Sequence, residues 1–174
     1  MTTIHVTHEH TEARLLGDTT AVILEGRLEQ NGPTHEIFFR PATRALARFV
    51  GCENVHEARA TRGPRAGRAL VSTETDHLEA ESDLLGSVHL CVPPEAVQIT
   101  DAVERPTPNT LRGTIQRVSH RGPLVRVVAA VADRRWISLM SASEANRRNL
   151  QVGDDAHLYL PPASCHLIPR KPAP

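Results

Sequence analysis

After Gly51 the chain is a series of short apolar runs cut by glycine and proline turns, a spacing that suits strands and excludes long helices. Leu111, Gly113 and Ile115 alternate with Arg112, Thr114 and Gln116, the two-residue period of a strand with one covered face. Val125, Val127, Ala129 and Val131 repeat that period, and residues 136–139 and 157–160 are further strand-like runs. Residues 97–100 read as one more short strand. Gly63-Pro64, Gly122-Pro123 and Gly153-Asp154 mark turns, and only residues 143–149 carry a helical period. Residues 101–108, with Pro106 and Pro108, read as an exposed connection, and residues 170–174 as a frayed tail. No long internal repeat is evident. Many short strands with turn signals predict a small β barrel or sandwich.

The first fifty-one residues read differently. Residues 3–6 are predicted to form a short buried strand, and residues 9–16 a helix with Glu9 and Glu12 near its positive end. Gly17-Asp18 ends the helix. Residues 20–24 form an apolar strand, Glu25-Gly26 a tight turn and residues 27–30 the return strand, closed by Asn31-Gly32-Pro33. Two short helices flank Pro41, the second placing Leu46, Phe49 and Val50 on one face. The predicted class is α+β, a short α/β segment followed by an all-β half.

Composition excludes several functions. Twenty basic and twenty acidic residues leave zero formal charge, and aromatics are 3%, so neither phosphate attraction nor base stacking favours nucleic acid. No apolar run approaches the ~20 residues that span a bilayer, so membrane association would go through a partner. Cys52, Cys91 and Cys165 are far apart, with no CxxC pair, and fit a reducing cytoplasm. His5, His8 and His10 invite a metal reading, but no carboxylate or cysteine at ligand spacing completes a set. No metal site is expected.

Val6-Thr7-His8-Glu9 followed by Glu12-Ala13, then Leu16-Gly17-Asp18, resembles the last part of the ATPase domain of ABC importers. The order continues through Val22 to Gly32, which looks like that family's hairpin, to Arg40-Pro41, Phe49-Val50-Gly51 and Glu53-Asn54. The second half resembles the family's appended oligonucleotide-binding-like TOBE domain. Asn109-Thr110-Leu111-Arg112-Gly113-Thr114-Ile115 looks like its opening segment. Leu150-x-x-Gly153-Asp154 and Pro162-Ala163-Ser164-Cys165-His166-Leu167-Ile168 look like later ones. Val92-Pro93-Pro94-Glu95 resembles Ile-Arg-Pro-Glu. Pro93 and Pro162 stand where the family often has arginine and lysine, so each removes a cation.

The resemblance implies residues 1–51 as an ATPase-domain remnant, residues 52–170 as a TOBE barrel and residues 171–174 as a tail. It implies His8 as the switch histidine that contacts the γ-phosphate, a role that fits phosphoryl transfer, where positioning and charge stabilisation do most of the work. It implies ATP and Mg2+ as cofactors of the complete protein, and permease subunits as partners at the inner face of the cell membrane. The cargo would be molybdate or tungstate, sulfate, ferric iron or a polyamine, with an oxyanion favoured.

The phosphate-cradling Gly-x-x-x-x-Gly-Lys-Ser/Thr run is missing from this sequence, whose only lysine is Lys171. No signature segment and no apolar strand ending in Asp-Glu occur either. The chain is therefore expected to be the C-terminal portion of such a subunit, inactive and without cofactor alone, and completed by an N-terminal ATPase portion or a homodimer partner. The alternative is a non-catalytic module that binds or responds to a small oxyanion. Because the first fifty-one residues would normally pack on a parallel sheet, their amides are expected to exchange faster than those of the β half. Hydrogen-exchange protection equal in both halves would contradict this.

Overall fold

The computed structural model describes residues 2–100 and 108–170, and they form two compact units, Met1–Gly51 and Cys52–Pro174. The connection expected at residues 101–108 falls almost wholly outside the described residues, as does the tail at 171–174.

In the first unit, helix α1 (His10–Leu16) precedes hairpin β1 (Thr19–Leu24) and β2 (Arg27–Pro33), followed by α2 (Thr34–Phe39) and α3 (Arg44–Phe49). The hairpin turns at Glu25 (φ 50°) and Gly26 (φ 74°), the two left-handed residues that match strand twist in a two-residue turn. Asn31, Gly32 and Pro33 do not break the strand as expected. They pair with Ala21, Thr20 and Thr19 and carry β2 to the start of α2. Thr34 then ties the corner, its hydroxyl donating to the Gly17 carbonyl at 2.6 Å. Thr43 caps α3 by accepting from the Leu46 amide at 3.1 Å. Val22, Ile37, Phe38 and Leu46 make a small core.

Residues 3–6 are not a strand. No ladder partner meets them among the described residues, and Ile4 and Val6 are 90% and 91% exposed. Unpaired backbone is satisfied by water rather than by an isolated extended segment. Helix α1 buries no residue, and Leu15 and Leu16 face outward. Of the face expected on α3, Leu46 is fully buried and Val50 packs against the core, whereas Phe49 remains 41% exposed.

The second unit is all but entirely β, as predicted, with its described strands in two five-stranded antiparallel sheets. Its elements run β3 (Asn54–Arg62), β4 (Ala69–Ser72), β5 (His77–Ala80), β6 (Gly86–Val92), β7 (Gln98–Thr100), β8 (Thr110–Arg121), β9 (Leu124–Val131), β10 (Arg134–Ser141), helix α4 (Ala142–Arg148), β11 (Asp155–Tyr159) and β12 (His166–Pro169). One sheet is ordered β12-β6-β3-β4-β5, the other β10-β9-β8-β11-β7. The predicted alternation holds: Leu111 and Ile115 are buried and Arg112, Thr114 and Gln116 exposed. Gly113 is required by close approach, since a Cβ there would lie 2.3 Å from the Ala130 carbonyl oxygen on β9. Arg170, read as the start of a frayed tail, is instead held: its amide donates to the Ser87 carbonyl and its guanidinium meets Glu57 at 2.7 Å.

Sheet order exposes a repeat that the sequence reading missed. Strands β3-β4-β5-β6 occupy the places in one sheet that β8-β9-β10-β11 occupy in the other. The fifth strands are exchanged: β7 follows β6 but pairs with β11, and β12 follows β11 but pairs with β6. The crossovers match in sequence, Val92-Pro93-Pro94 through a 3-10 turn to Ile99, and Leu160-Pro161-Pro162 through another to Leu167.

Each copy carries a buried asparagine at the base of its first strand. Asn54 donates to the carbonyls of Val92 (3.1 Å) and Ile137 (2.8 Å) and accepts from the Ile137 amide at 2.7 Å. Asn109 donates to the carbonyls of Leu160 (2.7 Å) and Glu79 (2.9 Å) and accepts from the Glu79 amide at 2.8 Å. Each joins the end of one sheet to a strand of the other. Between the sheets lies one continuous core that includes Val71, Leu78, Val88 and Leu90 from one side and Ile115, Val125, Val127, Trp136 and Leu158 from the other. Asn54→Ala and Asn109→Ala are each expected to lower stability by about 3 kcal/mol, because buried backbone groups lose their partners. Chemical denaturation measures this, and a change below about 0.5 kcal/mol, typical of surface sites, would contradict it.

Candidate functional site

The sequence singled out His8, and the structure places it in the irregular segment before α1, its side chain 95% exposed. Its Nε2 lies 3.6 Å from Glu9 Oε1. Thr7 donates to Glu12 at 2.6 Å and His5 meets the same carboxylate at 3.3 Å, which holds Glu12 below the usual carboxylate range, the Thr7 bond being the larger cause. His10 leaves this group and packs edge-on against Phe49. The three histidines therefore do not converge, and no group of metal-ligating side chains occurs among the described residues. His8 thus stands in solvent with Glu9 as its one charged neighbour within 4 Å among the described residues.

In the β half the segments carrying the resemblance are structural. Asn109 and Gly113 are the staple and the close approach described above. Asp154 closes a turn by accepting from the Gln151 amide at 2.8 Å. Pro94 and Pro162 each open a 3-10 turn at the strand exchange, and neither brings a charged donor to it. Cys52 and Cys91, separate in sequence, are brought together with Sγ atoms 2.7 Å apart. Their mutual hydrogen bond and burial push the Cys91 thiol far above its ordinary range, and burial pushes Cys165 up to about 12. Thiols so held are poor nucleophiles.

Two cavities of this unit, among its described residues, offer ligand space. One, of about 690 Å3, is bordered by Thr100, Arg112, Arg148, Asp154, Asp155 and His157, and the Arg112–Asp155 ion pair at 2.8 Å neutralises much of its rim. The other, of about 700 Å3, is lined by Arg117, Arg126, Arg134 and Arg135 with Glu53, Asp133 and His56. Arg126 forks onto Glu53 through Nε (3.2 Å) and Nη2 (2.7 Å). Arg134 reaches Glu74 at 3.4 Å and Asp133 at 3.9 Å. The side chains of Arg117 and Arg135 are exposed and make no ion pair or hydrogen bond with the described residues. His56 lies against the Trp136 ring, centroids 4.4 Å apart, and His56 Nε2 and Trp136 Nε1 are buried without a protein partner among the described residues. Sequence reasoning missed this cavity because its arginines lie on three strands and meet only through sheet register.

Burial first, and Arg134 second, push the His56 imidazole down from 6.5 to about 4, with Asp76 opposing. Between those values the unfolded chain takes up a proton that the folded chain refuses. The neutral ring's contribution is therefore complete above pH 6.5 and lost as pH falls through 4, by about 3 kcal/mol in full. Unfolding free energy measured from pH 7 to 4 is expected to fall more steeply in the parent than in His56→Gln. Parallel curves would contradict it.

Comparison with known proteins adds family context. Residues 90–168 match the TOBE domain model. The molybdate/tungstate import ATP-binding protein WtpC of Pyrococcus horikoshii is 27% identical over 169 residues, 97% of this chain and 47% of that protein. A sulfate/thiosulfate import ATP-binding protein, CysA 2 of Chromobacterium violaceum, is 32% identical across 99% of this chain and 47% of its own length. The spermidine/putrescine import ATP-binding protein PotA of Thermobifida fusca is 28% identical across 97% of this chain and 45% of its length. The chain thus spans about half the length of these relatives. Among solved structures, the cytoplasmic molybdate-binding protein ModG with molybdate bound superimposes with a TM-score of 0.58 at 18% identity, covering 68% of this chain and 98% of that one. That likeness concerns the fold alone. No helix among the described residues is long and apolar enough to cross a membrane.

Proposed function

We propose that this chain, a homologue of ABC importer ATP-binding subunits with a TOBE domain in its C-terminal region, acts as the C-terminal portion of such a subunit for molybdate or tungstate. The observation that carries the reading is the alignment of a molybdate/tungstate import protein along 97% of the chain, through both units. In this reading residues 1–51 complete an ATPase domain, and His8 supplies the polar contact to the γ-phosphate. ATP and Mg2+ are bound by segments that this sequence does not contain. The β half is the accessory domain, and the whole works with permease subunits at the inner face of the cell membrane. The exposure of His8, Leu15 and Leu16 supports a first unit whose ligand and packing partners come from elsewhere.

The chain alone is expected to hydrolyse no ATP, since the lysine loop, the magnesium carboxylate and the catalytic glutamate are missing from its sequence. A chimera placing the N-terminal half of the Pyrococcus horikoshii relative before this chain tests the role of His8. Hydrolysis is expected in the chimera and is expected to fall by about a hundredfold in His8→Ala, the usual cost of losing one preorganised donor. Equal rates in the two chimeras would remove His8 from the mechanism.

One observation favours a second reading, a non-catalytic oxyanion-binding module. The molybdate-binding protein ModG is matched over 98% of its own chain by 68% of this one, so nearly all of its fold is present here. Calorimetry of the purified chain with molybdate, tungstate and sulfate separates the readings, since the module requires saturable heat with at least one of them.

A further inference from the structure

The arginine-lined cavity has an organisation that neither the family resemblance nor the reading above uses. Register places Arg117 of β8, Val128 of β9 and Ile137 of β10 in one row across the outer face of the sheet. Ser119, Arg126 and Leu139 form the row on one side of it, and Ala130 and Arg135 belong to the row on the other. Residues paired across antiparallel strands point to the same face, so Arg117, Arg126 and Arg135 surround a floor of Val128 and Ile137. The rows of Arg126 and Arg135 lie four residues apart, roughly 13 Å along the strands. Arg134, at the start of β10, adds a fourth guanidinium to the lining.

Charge in the cavity is not balanced from within. Its lining has four arginines against two carboxylates, Glu53 and Asp133. Those carboxylates are held by Arg126 and Arg134, which leaves Arg117 and Arg135 facing solvent. At the cavity's inner side His56 Nε2 is buried without a partner among the described residues, and behind it Trp136 Nε1, a group that can only donate, is in the same condition. A cavity of about 700 Å3 is the size of a small-molecule site rather than of one tetrahedral ion.

We infer that this cavity is a binding site for a small polyanion carrying at least two phosphoryl groups, gripped by Arg117 and Arg135 from opposite sides of the Val128–Ile137 floor. Planar guanidinium forks suit phosphoryl oxygens, and separated cations favour a ligand whose charges are separated too. A single oxyanion engages one side of the floor only. The site is independent of the import reading: it needs neither His8 nor an ATPase domain.

Trp136 is the only tryptophan in the chain and touches His56, which makes its fluorescence a local reporter. The purified chain is titrated with inorganic pyrophosphate, and separately with sulfate and with molybdate at matched ionic strength. Pyrophosphate is expected to give a saturable change in Trp136 emission, with sulfate and molybdate binding at least about tenfold more weakly. Arg117→Ala/Arg135→Ala, at two exposed positions, is expected to weaken pyrophosphate at least about tenfold while leaving the far-ultraviolet dichroism and melting temperature unchanged. Calorimetry repeats the titration where emission does not respond. The inference is overturned if pyrophosphate gives no saturable signal by either method. It is equally overturned if sulfate or molybdate binds as tightly as pyrophosphate, or if the double variant binds as the parent does. Should Arg117→Ala/Arg135→Ala lose structure, Arg117→Gln/Arg135→Gln, which keeps the aliphatic stems, is judged by the same outcomes.

Discussion

The exchange of fifth strands between two repeats, held by a buried carboxamide at each, is the constraint on which the β half depends. A β7 that pairs with β11 and a β12 that pairs with β6 mean that neither five-stranded sheet exists without the other repeat. Asn54 and Asn109 then fix the relation between the sheets, each with three hydrogen bonds to backbone groups. In a dry environment a carboxamide with both its oxygen and its nitrogen engaged specifies one geometry, because any shift strands several polar groups at once. The apolar side chains between the sheets supply most of the driving force, and the asparagines supply its register.

This architecture explains why the two units differ so much in their burial. The β half encloses a core of more than twenty side chains, whereas the first unit gathers four buried residues around one hairpin. Apolar residues such as Ile4, Val6, Leu15 and Ile23 remain in solvent there. The same contrast follows from the proposed role. In that reading the β half is an accessory domain that buries its own core, while the first unit leaves its faces for the sheet and nucleotide it would serve.

Much of this was legible in the residues. The helix at 10–16, the hairpin over residues 20–30, the two helices around Pro41 and strands β7 to β11 follow from periodicity and turn chemistry, signals that act over a few residues. Strands β3 to β6 were not read. His56, Glu57, Arg59 and Arg62 interrupt β3, and the short β4 and β5 contain only four residues each, too few to establish a period. The strand expected at residues 3–6 has the right composition and no neighbour, and composition cannot create a ladder. His8 was legible as a motif, yet its role depends on groups outside this sequence.

The sequence by itself determined the local alphabet: which segments turn, which alternate, and which motif order links the chain to ATP-binding subunits of ABC importers. Tertiary structure alone decided that the strands divide into two interlocked repeats, that Cys52 meets Cys91, and that arginines from β8, β9 and β10 border one cavity. The physical reason is range. Turn and strand preferences are set by neighbouring residues, whereas strand exchange and the gathering of charge are set by pairings between segments tens of residues apart, which no local period records.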